Sequence, residues 1–226
     1  MSYRPSYHDY VIKDGLLVGE FEEMYRRFDD PWHHELLNRY SGSRQLAKHQ
    51  LGILKERNGI KRVLDLGCGK GQFAAEVAQL GLDVVGFDIS ETAVRKARER
   101  SSSARFEIGT LKDRDRILAV QPDVIVMCQI TWFVLSELES FFNFLREKLP
   151  NAMVLHILAV YAPGEQKYGR EYFTDLQGIL NYFARFGLHY LEYGEIRDFS
   201  GAGDTFFLAG WDAETAAHWK QLPNLG

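Results

Sequence analysis

The stretch Val63-Leu64-Asp65-Leu66-Gly67-Cys68-Gly69-Lys70-Gly71-Gln72-Phe73 decides the fold. An apolar run gives way to alternating glycines, and the glycines run into a helical pattern in which Phe73, Val77 and Leu80 share a face before Gly81. A strand, a tight loop and a helix in that order place backbone N–H groups at the carboxyl edge of a sheet. The next apolar run, residues 84–87, ends in Asp88.

The alternation continues outward from this unit. Arg62–Leu66, 84–87, Arg105–Ile108, 123–128 and Met153–Val160 read as strands. Ser90 is placed to cap a helix running to Arg100, and Leu138, Phe141, Phe142, Leu145 and Leu149 form a strong helical stripe. Ser136 and Glu139 before that stripe have the spacing of a capping box. Strands apolar on both faces and separated by helices predict a parallel sheet covered on two sides. Leu176, Ile179, Leu180 and Phe183 mark a further helix ending at Gly187. The last two strands, 188–193 and 205–209, are joined by a polar connection too short for a helical crossover, so they pair antiparallel. Before the glycine loop, residues 1–59 read as helical. Asp29-Asp30-Pro31 marks one helix start, and a second helix spans 43–58 with Gly59 as its stop.

Composition narrows the class. The chain has 226 residues, with 46% hydrophobic and 26% charged. This is ordinary for a globular protein and unlike disordered or disulfide-scaffold chains. Its length fits one domain with decorations, read as 1–226: a helical cap at 1–59, then a core at 60–226 with an insertion at 161–174. The net charge of −4 advertises no nucleic acid partner. The two cysteines, Cys68 and Cys128, form no CxxC pair, which points to a reducing compartment and to no metal site. No apolar run reaches the ~18 residues of a membrane span, and no signal-peptide core is visible, so a cytoplasmic location without membrane contact is expected.

The glycines and acids specify a ligand class. Asp88 is placed to accept both hydroxyls of a ribose. The dinucleotide fingerprint requires GxGxxG, whereas Gly67, Gly69 and Gly71 give GxGxG and Gln72 holds the third-glycine place. With Asp65 two residues before Gly67, the segment resembles the first motif of the class I S-adenosylmethionine-dependent methyltransferases, acid-x-Gly-x-Gly-x-Gly. Asp88 resembles their second. The resemblance implies an α/β, Rossmann-like doubly wound sheet in strand order 3-2-1-4-5-7-6 and S-adenosyl-L-methionine as cofactor. It implies that Gly67, Cys68 and Gly69 face the methionine part and that Asp65 lies near its amino group. Asp88 would hold the ribose and Ile89 pack on adenine, with Thr110 and Leu111 at the adenine border. Many relatives carry an acid or amide where Thr110 stands. Cys128 and Gln129 would border the sulfonium end.

Acceptor-side features are Trp32 within the Phe28–His34 stretch, Trp132 after the fourth strand, His156 inside the fifth, and Tyr161, Lys167, Tyr168 and Tyr172 in the insertion. Together they resemble methyltransferases of bacterial surface-polysaccharide and sugar-modifying pathways. They imply methyl transfer to a hydroxyl or amine of a sugar, nucleotide sugar or related metabolite, by a monomer or homodimer. Tyrosines can stack on sugar faces, and a 161–174 excursion without regular structure suits a lid. His156 alternates with Val154 and Leu158 inside an apolar strand, which favours a hydrogen-bonded core histidine, and it is also the candidate base. His33, His34 and Glu35 lack the i, i+4 spacing of a metal pair. Two other readings stay open: a nicotinamide-dependent oxidoreductase, and a cofactor-binding subunit without catalysis.

Overall fold

The computed structural model describes residues 6–33, 40–197 and 201–212. The chain first forms a short hairpin of β1 (Ile12–Lys13) and β2 (Leu16–Leu17), then α1 (Phe21–Arg27) and α2 (Gly42–Asn58). The main unit comes next: β3 (Arg62–Leu66), α3 (Gln72–Ala78), β4 (Asp83–Asp88), α4 (Glu91–Arg100), β5 (Arg105–Ile108), α5 (Arg114–Val120), β6 (Val124–Cys128), α6 (Leu138–Lys148), β7 (Met153–Val160), α7 (Leu176–Ala184), β8 (His189–Arg197) and β9 (Gly203–Gly210).

The seven-stranded sheet runs β5-β4-β3-β6-β7-β9-β8. Counted among the sheet's own strands, this is the expected order 3-2-1-4-5-7-6. The first five strands are parallel, and β9 pairs antiparallel with both β7 and β8. Side chains alternate between two buried layers, as a pleated strand covered on both faces must. Leu64, Ile125, Met127 and Val154 face α5, α6 and α7. Val63, Val124, Val126 and Leu155 face α2, α3 and α4. The phenylalanines at 141, 142, 183 and 207 are fully buried in the first layer.

The structure corrects four expectations. The 1–59 region is not uniformly helical, because Asp14 and Gly15 both take positive φ and turn a hairpin. Nor is it uniformly a cap: Ala47, Leu51 and Leu54 of α2 are packed into the sheet's own core. The helix start expected at Asp29-Asp30-Pro31 is a turn, and residues 34–39 after it lie outside the described residues. No capping box forms at Ser136, because 134–137 tighten into a 3₁₀ turn and Glu137 becomes the N-cap of α6 without a side-chain bond. One helix, α5, has no counterpart in the sequence reading. It is short, buries only Ile117 fully, and ends at Gln121 in the left-handed region without a glycine to announce it.

Candidate active site

A cleft of about 610 Å³ opens at the carboxyl ends of β3, β4, β6 and β7 and is roofed by the N-terminal segment. That is an ordinary volume for a small-molecule site. The sheet's strand order reverses here, between β3 and β6, where open α/β sheets bind ligands.

The floor is main chain. Gly67 lines the cleft with φ 69°, and a Cβ there would meet Ile130 at 2.1 Å. Asp88 ends β4 with one oxygen taking the Gly69 N–H at 2.8 Å and the other taking the Ser90 N–H at 2.9 Å. Burial raises its pKa to about 6, against the pull of those two bonds. A carboxylate has about four acceptor sites, so two remain for donors from the cleft that Asp88 lines. Asp65 lies just behind, fully buried. Burial lifts its pKa to about 7, opposed by the nearby Arg44 guanidinium.

These groups fit S-adenosylmethionine. Asp88 is desolvated and half-satisfied, as a carboxylate awaiting two ribose hydroxyls should be. Asp65 is an acid that gains from a nearby ammonium. Ile89, more than half exposed, lines the cleft with Thr110 and Leu111, where an adenine would pack. Cys68, Gly69 and Gly71 are not among the lining side chains. Gly69 contributes its N–H to Asp88, and the Gly71 position is occupied by packing: a Cβ there would lie 2.4 Å from Phe106.

The roof comes from residues before α2. Trp32 packs on Tyr7 and Phe133, with ring centroids 5.4 and 5.7 Å away, and donates its indole N–H to the Tyr25 hydroxyl at 2.9 Å. Glu22 latches this segment to the start of α4, taking bonds from Ser90 Oγ (2.6 Å), Thr92 Oγ1 (2.7 Å) and Thr92 N–H. Partial burial opposes its charge, but those bonds win and hold its pKa at about 2. Asp30 pairs with the buried Lys70 of the glycine loop at 3.2 Å. His33 is exposed, and His34 and Glu35 lie outside the described residues. Among the described residues, no group of three or more His, Cys, Asp or Glu could hold a metal ion.

The remaining wall joins β6, β7 and β9. Cys128, Gln129, Trp132, Tyr161 and Asp204 line it. Burial pushes the Cys128 thiol up to about 12, so it is no nucleophile. Trp132 is largely buried, with its N–H on the Ala159 carbonyl at 2.8 Å. His156 is not at the cleft. It is fully buried, bonded through Nε2 to Thr131 Oγ1 at 2.7 Å and stacked on Phe207 with centroids 4.5 Å apart. Burial drops its pKa to about 3, so it stays neutral in the core. Lys167, Tyr168 and Tyr172 do not reach the cleft either. Gln166 is buried and donates to the Tyr168 and Phe173 carbonyls at 3.0 and 2.9 Å, which pins the insertion against the core. Sequence reading missed Tyr7, His8, Tyr25, Arg44 and Asp204, all of which line the cleft from segments distant in sequence.

Comparison with known proteins agrees with this geometry. Residues 58–126 match the methyltransferase-domain family. The chain carries a class I S-adenosylmethionine-dependent methyltransferase domain. It is similar to the ubiquinone biosynthesis O-methyltransferase of Aliivibrio fischeri, 34% identical over 38% of this chain and 36% of that protein. It also matches the 23S rRNA (uracil(1939)-C(5))-methyltransferase of Thiobacillus denitrificans, 38% identical over 30% of this chain and 17% of that one. The chain thus aligns with only about a third or less of these relatives' length. In fold it resembles the magnesium protoporphyrin IX methyltransferase of Synechocystis, solved with bound S-adenosylhomocysteine (TM-score 0.56, 17% identity, 76% of this chain and 84% of that one). The domain implies S-adenosylmethionine as its cofactor. Since one relative is named for ribosomal RNA, these matches lend no support to the expectation that nucleic acid is not a partner. No described helix is long and apolar enough to cross a membrane.

Proposed function

We propose that this protein transfers the methyl group of S-adenosylmethionine to a hydroxyl or amine of a small molecule, with a sugar or nucleotide sugar as the finer reading. The observation that carries the methyl-donor assignment is Asp88: a buried carboxylate at the end of β4, tied to Gly69 and Ser90, with acceptor capacity left on the cleft side. Bound there, S-adenosylmethionine supplies an electrophilic methyl group on a sulfonium.

The chain's task is geometric. Gly67 brings main chain to the cleft, Asp88 takes the ribose end of the donor with Asp65 behind the lining toward its amino end, and Tyr7, Trp32 and Phe133 roof the cleft. In-line transfer needs the acceptor atom ~3–3.5 Å from the methyl carbon, and holding it there supplies most of the acceleration. A largely apolar cleft of this size supports a small acceptor, and Tyr161 offers a ring face for a sugar. The test is transfer of labelled methyl from S-adenosylmethionine to a monosaccharide, a nucleotide sugar, a catechol and a primary amine. Label on the sugar compounds bears out the finer reading. Label only on the amine or the catechol removes it.

A further inference from the structure

We propose that Asp204 is the acceptor-side base of this site, holding an acceptor hydroxyl and taking its proton during transfer. This rests on the methyltransferase reading above. Among the described residues three carboxylates line the cleft: Asp88, Glu137 and Asp204. Asp88 is committed to Gly69 and Ser90 at the donor end. Glu137 sits at the rim, paired with Lys112 at 3.2 Å. Asp204 stands at the start of β9, opposite Ala159 of β7.

Its setting is built to aim it. Oδ2 accepts from Ser43 Oγ at 2.5 Å and from Ser41 Oγ at 3.3 Å, and Oδ1 accepts from Gln129 Nε2 at 2.8 Å. Three of about four acceptor sites are thereby filled, and the free one is on Oδ1. Gln129 is itself held in a conformation that non-glycine residues avoid, with φ 66°. Its side-chain oxygen takes the Ala159 N–H at 2.5 Å. Strain of this kind persists where surroundings enforce it, commonly at functional sites. Ala159 is exposed although its strand lies between β6 and β9, so the wall opens beside Asp204.

The step balances without a further reactant. The acceptor O–H bond breaks as its proton passes to Oδ1, the acceptor oxygen bonds the methyl carbon, and the S–CH₃ bond breaks to leave the neutral thioether. Asp204 then returns the proton to water.

The test is Asp204→Asn, which keeps size and polarity but cannot take the proton. It is measured with S-adenosylmethionine and the panel of glucose, UDP-glucose, catechol and propylamine, alongside the thermal shift given by S-adenosylhomocysteine. We expect transfer to a hydroxyl compound to fall by about 10²–10⁴-fold in kcat, with the thermal shift unchanged. Should the Asn variant fold poorly, Ser43→Ala removes one hold on Oδ2 and should lower kcat at constant thermal shift. Unchanged transfer in a folded variant overturns the proposal. So does a lost thermal shift, which would place Asp204 in the donor site. Transfer to propylamine alone, or to no member of the panel while wild type keeps its thermal shift, overturns the hydroxyl assignment and leaves the methyl-donor reading standing.

Discussion

The two ends of the cleft are made by different means. At β3 and β4 the binding groups are main chain or immediate neighbours of it. Gly67 turns with positive φ, and Asp88 grips the N–H groups of residues just past the two strands. At β6, β7 and β9 the wall is a side-chain network across great sequence distance. Ser43 reaches Asp204 over 161 positions, and Gln129 reaches it over 75. A site built from main-chain geometry needs glycines and acids at fixed spacing. A site built from a network needs only that the fold bring ordinary residues together.

The largest effect should come from breaking the first kind of site by packing alone. Gly71→Ala places a Cβ 2.4 Å from the Phe106 ring and 2.9 Å from the Ala97 Cβ, at φ 73°. Left-handed strain and overpacking together should cost ~3 kcal/mol or more in unfolding free energy, read by denaturant titration. Affinity for S-adenosylhomocysteine per folded molecule should stay nearly constant, since Gly71 does not line the cleft.

Asp88→Ala sharpens the same end chemically. It removes a charge-assisted acceptor, so S-adenosylhomocysteine binding should weaken by ~1.5–3 kcal/mol with the fold retained. Calorimetry would show this, and unchanged affinity would remove Asp88 from the ribose.

His156→Gln probes the boundary between site and core. The loss of the Thr131 bond and of the stack on Phe207 should cost ~1–2 kcal/mol in stability. Turnover per folded molecule should not change, because His156 is walled off from the cleft. A pH-rate profile that lost a limb in this variant would return it to catalysis.

The smallest effect is a pH dependence. Burial raises Asp88 to about 6 and Asp65 to about 7. The folded donor-free protein therefore binds protons that the unfolded chain has already released. From these two groups its stability falls as pH rises through the window from about 4 to about 7. Ribose hydroxyls favour the charged Asp88, so this group alone should make S-adenosylhomocysteine bind about tenfold more weakly at pH 5 than at pH 8, the cost of ionising it one unit below its pKa. Equal affinity at both pH values would mean that Asp88 does not meet the ligand in its charged form.

The contrast between the two ends also explains what is legible in the sequence. Strand order, the antiparallel last pair and the Asp65–Gly71 and Asp88 motifs come from period, spacing and family resemblance, all carried by short local stretches. The hairpin at Asp14-Gly15 has a turn signal of its own, but its strands are only two residues each and show no period. Asp204 and Arg44 carry no signal, because an acid closing a polar loop and an arginine opening a helix are commonplace until α2 is packed against β7 and β9. His156 shows the opposite failure. A histidine in an apolar strand reads as unusual chemistry, yet Thr131 and Phe207 hold it entirely within the core.

The central claim is that the carboxyl ends of β3 and β4 form a site for S-adenosylmethionine and not for a dinucleotide. Thermal unfolding with S-adenosylhomocysteine, NAD and NADP tests it most directly. A ligand that binds only the folded state adds about 2.7 kcal/mol at a hundredfold excess over Kd. For a chain of this size that is a rise of roughly 5–11 °C in Tm. The account predicts that rise with S-adenosylhomocysteine and none with either dinucleotide. A rise with NAD or NADP and none with the thioether would contradict it.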